Sequence, residues 1–446
     1  MKEDVLSILE KVMKLSKADQ CEAHLSGRSW GLTRFANSYI HQNVVEENQE
    51  LTVRVVFGKK IGKAKTNQLN PESVGEVVER AEKIARAQKE ILDFVSLPEP
   101  NSIPEVKGFF KETAEVQPEE RASLVKATID HAEGKGIETV SGAYYTGKEE
   151  VAVMNSLGVE AYFEGTISSF KVNTAVEEGT GTAQNFSRNH KQLNCEALTE
   201  KSCEKALASK KTEKVLPGVY PVILEELAVC EMAGYLAFMT FGAQAYQEGR
   251  SAFSGRLGEK FADEKVSFWD DGTNEKGFPV PFDAEGVGKQ KVDIMVDGVA
   301  KTVVYDSFYA RKEGKKSTGH AIDAPIPIGA GPTNLFMGKG THTLEDLIGD
   351  CEKGILVTRF HYTNPMHRLK TVITGMTRDG TFLIENGEIV KGLKNLRFTQ
   401  NILEALSAVK GVSNTWGIVR MEYMKASVCA PALHVGNFNF TGATSF

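Results

Sequence analysis

CEAHLSGRSWGLTRFANSYIHQNVVEENQELTVRVVFGKKIGKAKTN spans residues 21–67, and a second stretch of the same kind, ETVSGAYYTGKEEVAVMNSLGVEAYFEGTISSFKVNTAVEEGTGTAQNF, spans 138–186. In the first, turn signals stand at Ser26-Gly27, Ala36-Asn37-Ser38, Glu47-Asn48 and Gly58-Lys59, with strand-forming residues between them. Leu51, Val53, Val55 and Phe57 alternate with Thr52, Arg54 and Val56, the period of a strand with one buried face. Asn37-Ser38 recurs as Asn155-Ser156 and GKAKTN (62–67) as GTAQNF (181–186), at a spacing of about 118–119 residues.

Working outward, each stretch is flanked by helical patterns. Val5, Ile8, Leu9, Val12 and Leu15 follow the 3.6-residue period before the first unit, and Val74, Val77, Val78, Ala81 and Ile84 follow it afterwards, behind an Asn70-Pro71 start. PEERASLVKATIDHAEGKG (118–136) and LTEKSCEKALASKK (198–211) flank the second unit. Helix, four strands, helix, written twice, predicts an α+β fold with helices covering antiparallel sheets. Prolines 98, 100 and 104 mark a first linker and the composition shifts near 212–217, so the expected units are 1–97, 105–212 and 215–446.

The last unit reads as glycine-rich and β-dominated, with few helices. VYPVILE (219–225) is a predicted strand that runs into a helix ending near Thr240. Strands and loops punctuated by glycine follow from 241 to 335. Thr343-Leu-Glu-Asp opens a helix of capping-box type that Gly354 is expected to stop. ILVTRFHYT (355–363) and HVGNFNFTG (434–442) read as strands, and Asp379-Gly380 and Asn386-Gly387 as hairpin turns.

A net charge of -6 gives no electrostatic reason to approach nucleic acid or an anionic membrane, and no nucleic-acid or membrane partner is expected. No run of eighteen apolar residues predicts a membrane span, and the opening helix does not resemble a secretory leader. Six cysteines without CxxC spacing fit reduced thiols in a cytoplasmic protein.

Motifs that carry chemistry are sparse. GVGK (286–289) lacks the Ser or Thr that a phosphate loop requires after its lysine. GRSWG (27–31) has the nucleophile-elbow spacing, but LTRFANSYI follows as strand and turn rather than helix, which leaves Ser29 an exposed strand residue. None of the nine histidines is followed by glutamate, so no helix offers two imidazoles one turn apart; His361 and His367 flank an Asn364-Pro365 loop. VILEELAVCEMAGYLAF (222–238) sets Glu225, Glu226, Cys230 and Glu231 in an apolar run. Glu226 and Cys230 lie one turn apart and are the candidate ligands of an ion, with Cys429 or a histidine completing the set. The plainer reading is a helix buried along Ala228, Met232, Tyr235 and Phe238, with acids favoured at its amino end by the macrodipole.

TRFANSYIHQN (33–43), PGVYPVILE (217–225), SAFSGRLGE (251–259), KSTGHA (316–321), PTNLFM (332–337) and TRDGTFLIENGEI (377–389) resemble the TldD/PmbA family along almost the whole chain. The resemblance implies a cytoplasmic proteolytic system. Its TldD-like branch carries HExxxH on a helix, a cysteine nearer the C-terminus and zinc. Its PmbA or TldE-like branch lacks those ligands and pairs with the first to degrade unfolded peptides in a closed chamber. An older label for the family is modulator of DNA gyrase.

Here Glu225-Glu226-Leu-Ala-Val-Cys230 stands where His-Glu-x-x-x-His would stand, so only Glu226 finds a match, as the candidate catalytic carboxylate. The third ligand is expected close to Gly417, and the nearest thiol, Cys429, comes about twelve residues later. The resemblance therefore implies a metal-free subunit that forms the chamber wall, binds extended peptide, and partners a zinc-bearing TldD-like subunit or a second copy of itself. Arg359, Asn364 and Arg378, lying in or beside family-like blocks, are the candidate substrate-binding residues. Two rivals stand beside this reading: a stand-alone metallopeptidase with Glu226 and Cys230 as atypical ligands, and a binding regulator without proteolytic connection.

Overall fold

A computed structural model describes residues 2–323, 329–421 and 426–443. Both N-terminal units contribute to one six-stranded antiparallel sheet, in the order β3-β2-β1-β4-β5-β6. Its strands are β1 (Gln20–Ala36), β2 (Tyr39–Phe57), β3 (Lys60–Thr66), β4 (Thr139–Asn155), β5 (Glu160–Val176) and β6 (Gly179–Ser187). The two units meet along β1 and β4, from Glu22 opposite Asn155 to Phe35 opposite Gly142. Helices α1 (Lys2–Leu15) and α2 (Pro71–Ala87) bury Leu9, Val12, Val77 and Ala81 against Ala23, Leu25, Leu51 and Val53. After the short α3 (Lys111–Ala114), α4 (Pro118–Gly134) and α5 (Cys195–Ala208) cover the second unit in the same way, over Tyr144, Phe170 and Val172.

The repeat is therefore present, but each unit has three long strands where four were expected. Ser26-Gly27 and Glu47-Asn48 are not turns, because β1 and β2 pair without a break from Gln20 opposite Val56 to Arg34 opposite Gln42. Glu47 and Asn48 are exposed and Ser26 is half-buried on a long two-stranded ribbon, where the half-buried Ser29 donates from Oγ to Glu47 Oε1 at 3.0 Å. The Asn37-Ser38 turn is real, with both residues in the left-handed region at φ 50° and 59°.

The C-terminal half pairs a closed barrel with a second sheet. In the barrel, β8 (Gly218–Leu224), β13 (Lys353–His367), β14 (Val372–Glu385), β16 (Leu396–Asn401) and β20 (Leu433–Ala443) run in the order β13-β8-β20-β16-β14, and β14 pairs back to β13. Closure leaves these strands no open edge. The rings of Phe360, Phe398, Phe438 and Phe440 pack together in this part of the core. The strands β7 (Thr212–Glu213), β15 (Glu388–Leu393) and β17 (Val409–Val412) attach at its margins.

The second sheet orders β11 (Val299–Ala300), β10 (Val292–Val296), β9 (Phe268–Asp270), β12 (Asn334–Met337), β19 (Ala426–Ala430) and β18 (Gly417–Met421), with β18 at one edge. Between barrel and sheet runs α6 (Glu226–Thr240), followed by the short helices α7 (Ala243–Gln247), α8 (Ser307–Lys312), α9 (Leu344–Gly349) and α10 (Ile402–Ser407) elsewhere in the half. Among the described residues, no helix is long and apolar enough to cross a membrane.

Two local expectations are corrected. The capping box of α9 forms with Thr343 and Asp346, but the helix ends at Gly349, and Gly354 lies inside β13, where an added Cβ would stand 2.8 Å from Pro221 O. Asp379-Gly380 is a bulge inside β14 rather than a hairpin turn, because Val357 pairs with Thr381 and Arg359 with Arg378 on either side of it. Asn386-Gly387 does make the predicted hairpin, between β14 and β15.

Candidate functional site around helix α6

Strand β8 ends at Leu224, opposite Val357 of the parallel β13, and Glu225 N donates to Val357 O at 3.0 Å as the chain turns into α6. This junction buries the Glu225 side chain, which is 3% exposed. Lys201 and Lys205, one turn apart on α5, reach across from the second unit. Lys205 Nζ lies 2.5 Å from Glu225 Oε1 and Lys201 Nζ 3.1 Å from Oε2, while Thr358 Oγ1 donates to Oε1 at 3.2 Å. Burial alone would raise the carboxyl, but the two ammonium groups outweigh it and hold Glu225 down at about 2. Glu226, in the first turn, is more open, with Lys201 Nζ at 3.9 Å and Thr415 Oγ1 donating at 3.5 Å.

One turn on, Cys230 is fully buried and donates its thiol hydrogen to Val428 O at 3.3 Å and Gly417 O at 3.5 Å. Burial, with Cys429 nearby, pushes the Cys230 thiol well up, so it is a protonated core thiol. Gly417 packs so closely that a Cβ there would stand 2.4 Å from Glu226 Cβ. The expected position of a third ligand is thus brought to α6 by the fold, yet it offers only backbone.

These donors do not fit a zinc ion. Of the two candidate ligands, Glu226 is accessible but Cys230 is a thiol committed to carbonyl oxygens; beside them Glu225 is already engaged by two cations and Gly417 has no side chain, so Glu226 is left without partner ligands. Among the described residues, no three side chains of His, Cys, Asp or Glu converge to hold a metal.

Along α6, Leu227, Glu231, Gly234, Tyr235 and Phe238 form one helical stripe that lines a cavity of about 450 Å3. Arg359, Phe360 and Pro365 of β13, Val419 and Met421 of β18, and Gln184 of β6 complete its walls. The buried stripe expected along Ala228, Met232, Tyr235 and Phe238 is corrected accordingly: Ala228 and Met232 are in the core, whereas Tyr235 and Phe238 are half-buried on the cavity face. Burial raises the Glu231 carboxyl above its ordinary range, against the opposing pull of Thr363 and Arg359.

Arg359 lines this cavity and is held by Asp379, with Nε 2.8 Å from Oδ2. Arg378 stands opposite Arg359 on β14, with its Nε 3.8 Å from the other Asp379 oxygen. The Asp379-Gly380 bulge thus places one carboxylate between two arginines. Asn364 is exposed and donates to Tyr362 O at 2.9 Å, outside the cavity lining. His361 and His367 lie on β13, not in a loop, with His361 against the Tyr362 ring and His367 Nδ1 accepting from Lys370 N. Sequence reasoning missed Lys201, Lys205 and the cavity role of Glu231. The lysines are an i, i+4 pair on a predicted helix, and no local pattern ties them to a glutamate twenty residues on.

Three family models tile most of the chain: "PmbA/TldA metallopeptidase domain 1" at 21–85, the "central domain" of the same series at 111–210, and its "C-terminal domain" at 217–442. Together with the repeated sheet and the barrel-bearing half, they define a metallopeptidase-type chain. It belongs to the PmbA/TldD family. It is 25% identical to "Metalloprotease PmbA" of Escherichia coli O157:H7, over 93% of this chain and 91% of that protein. It is 24% identical to "Metalloprotease TldD homolog" of Buchnera aphidicola, over 85% and 82%. The crystal structure of TldE from Thermococcus kodakarensis has the same fold, with a TM-score of 0.87 at 22% identity, covering 98% of this chain and all of that one.

Proposed function

We propose that this chain is the metal-free subunit of a TldD-type metallopeptidase assembly. It forms part of the chamber wall and holds extended, unfolded peptide, while a zinc-bearing TldD-like partner carries the hydrolytic centre. One observation carries the reading: at the first ligand position of the family motif, Glu225 is neutralised by Lys201 and Lys205, so lysine ammonium supplies the positive charge that an ion would bring. The α6 cavity gives the peptide role a place. Its walls are mostly apolar, β18 beside it is a sheet edge able to accept an added strand, and Arg359 and Glu231 supply polar contacts. The assembly is expected in the cytoplasm.

The test is reconstitution. The purified chain is expected to contain no stoichiometric zinc and to leave an unstructured peptide intact. Mixing with a HExxxH-bearing TldD-like protein from the same genome should give a stable complex and chelator-sensitive cleavage. Stoichiometric zinc in this chain alone, with cleavage lost in Glu226→Ala, would establish the stand-alone peptidase instead.

A further inference from the structure

The walls of the α6 cavity restrict what can fill it. Seven of its eleven lining residues are apolar or aromatic, drawn from α6, β13 and β18. Tyr235 presents its ring rather than a free hydroxyl, because the OH donates to Thr363 O. The lining holds one acid and one base, Glu231 and Arg359, and Arg359 is already engaged by Asp379 outside it.

The space depends on Gly234, in the middle of α6. A Cβ there would stand 1.8 Å from Met421 Cε and 2.7 Å from its Sδ, so the thioether lies in the groove that this glycine leaves. A glycine inside a helix costs stability, and here it leaves a hollow that a flexible methionine wall can reshape around different guests. Val419 and Met421 are alternate residues of β18, share one face of it, and both reach the cavity. β18 pairs with β19 on one side, from Gly417 opposite Ala430 to Met421 opposite Ala426, and is the last strand of its sheet. A peptide laid along its other side would turn every second side chain to the face that Val419 and Met421 occupy.

We infer that the α6 cavity is a side-chain pocket for one bulky, uncharged apolar residue (Leu, Met or Phe) of an extended peptide lying along β18. This rests on the peptide-holding role proposed above and names the class of sequence that is held. An ionised side chain would lose its hydration against apolar walls and, whichever its sign, would meet Glu231 or Arg359 of like charge. Folded proteins bury bulky apolar side chains and unfolded chains expose them. A pocket that requires one therefore separates unfolded from folded polypeptide without reading any particular sequence.

The probes are peptides of the form acetyl-Ala-Ala-Xaa-Ala-Ala-amide with Leu, Phe, Ala, Asp or Lys at Xaa, titrated calorimetrically into the full chain. The Leu and Phe peptides are expected to bind at least about tenfold more tightly than the other three. Gly234→Leu fills the hollow and should bring the ratio of Leu to Ala affinity close to one. The ratio on the unmodified chain decides the matter even where the variant folds poorly. Five peptides of equal affinity would overturn the pocket and leave the peptide-holding role standing. Tighter binding of the Asp or Lys peptide, or a Leu preference kept in a folded Gly234→Leu, would also overturn it. No binding of any of the five at millimolar concentration would overturn both the pocket and the peptide-holding role.

Discussion

Glu225 shows why charge type alone does not make a metal site. A carboxylate at the start of an otherwise apolar helix looks available from the sequence, but in the fold it is the counter-ion of Lys201 and Lys205. Because all three groups are withdrawn from bulk water to different degrees, removing the anion leaves cations uncompensated. Glu225→Gln is expected to lower stability by about 3–5 kcal/mol at neutral pH, measured by urea unfolding. The pH dependence has a definite sign. Glu225 titrates near 2 in the folded chain against an ordinary value of 4.5, so its contribution is complete above 4.5 and is lost as pH falls toward 2. The gap between wild type and Glu225→Gln should therefore narrow over that interval; a gap unaltered by acid would show that Glu225 is not the ionised partner.

At the scale of elements, the repeat rests on two glycines. Gly62 on β3 and Gly181 on β6 occupy equivalent positions, and each lets a helix backbone settle onto its sheet. A Cβ at Gly62 would stand 2.1 Å from Ala81 O of α2, and one at Gly181 1.9 Å from Ser202 O of α5. Both obstacles are main chain, which cannot rotate away. Gly62→Ala and Gly181→Ala should each cost about 1–3 kcal/mol by overpacking, read as a fall in the urea midpoint. Gly58, with open space around it, provides a contrasting site, where any cost arises from its φ of 58°.

The same elements show what was legible in advance. Periodicity gave α1 and α2 because each buries a single stripe, α4 and α5 followed from their place in the repeat, and spacing gave the repeat because the glycine-bearing β-ends are held fixed by packing. Strand number was misread because turn-like dipeptides such as Glu47-Asn48 also suit an exposed ribbon. Asp379-Gly380 was misread because left-handed backbone serves a bulge as readily as a hairpin. The lysine clamp on Glu225 was not legible, since its members lie twenty residues apart on elements whose docking no local pattern encodes.

Across the whole molecule, one charged cluster at the contact between the N-terminal sheet and the C-terminal half sets three carboxylates beside a single arginine. Arg54 of β2 lies 2.7 Å from Glu22 and 3.1 Å from Glu285, while Glu285 also accepts from Ser307 N at 3.0 Å. Asp306 stands beside this pair, capping α8 through Tyr309 N at 2.8 Å. Burial, reinforced by Glu285, raises the Asp306 carboxyl to about 7. A raised carboxyl pulls in the opposite direction from Glu225. The folded chain holds the proton more tightly than the unfolded one, so the stabilisation is complete below the ordinary value of 3.8 and disappears as pH rises through 7. Asparagine keeps the capping oxygen and cannot ionise. Asp306→Asn should therefore gain on wild type progressively between about pH 4 and 7, then hold a constant advantage of about 2–4 kcal/mol at higher pH. Urea midpoints of both proteins at pH 5, 6, 7 and 8 measure this directly, and an advantage that does not grow with pH would mean that the cluster tolerates a third carboxylate without holding its proton.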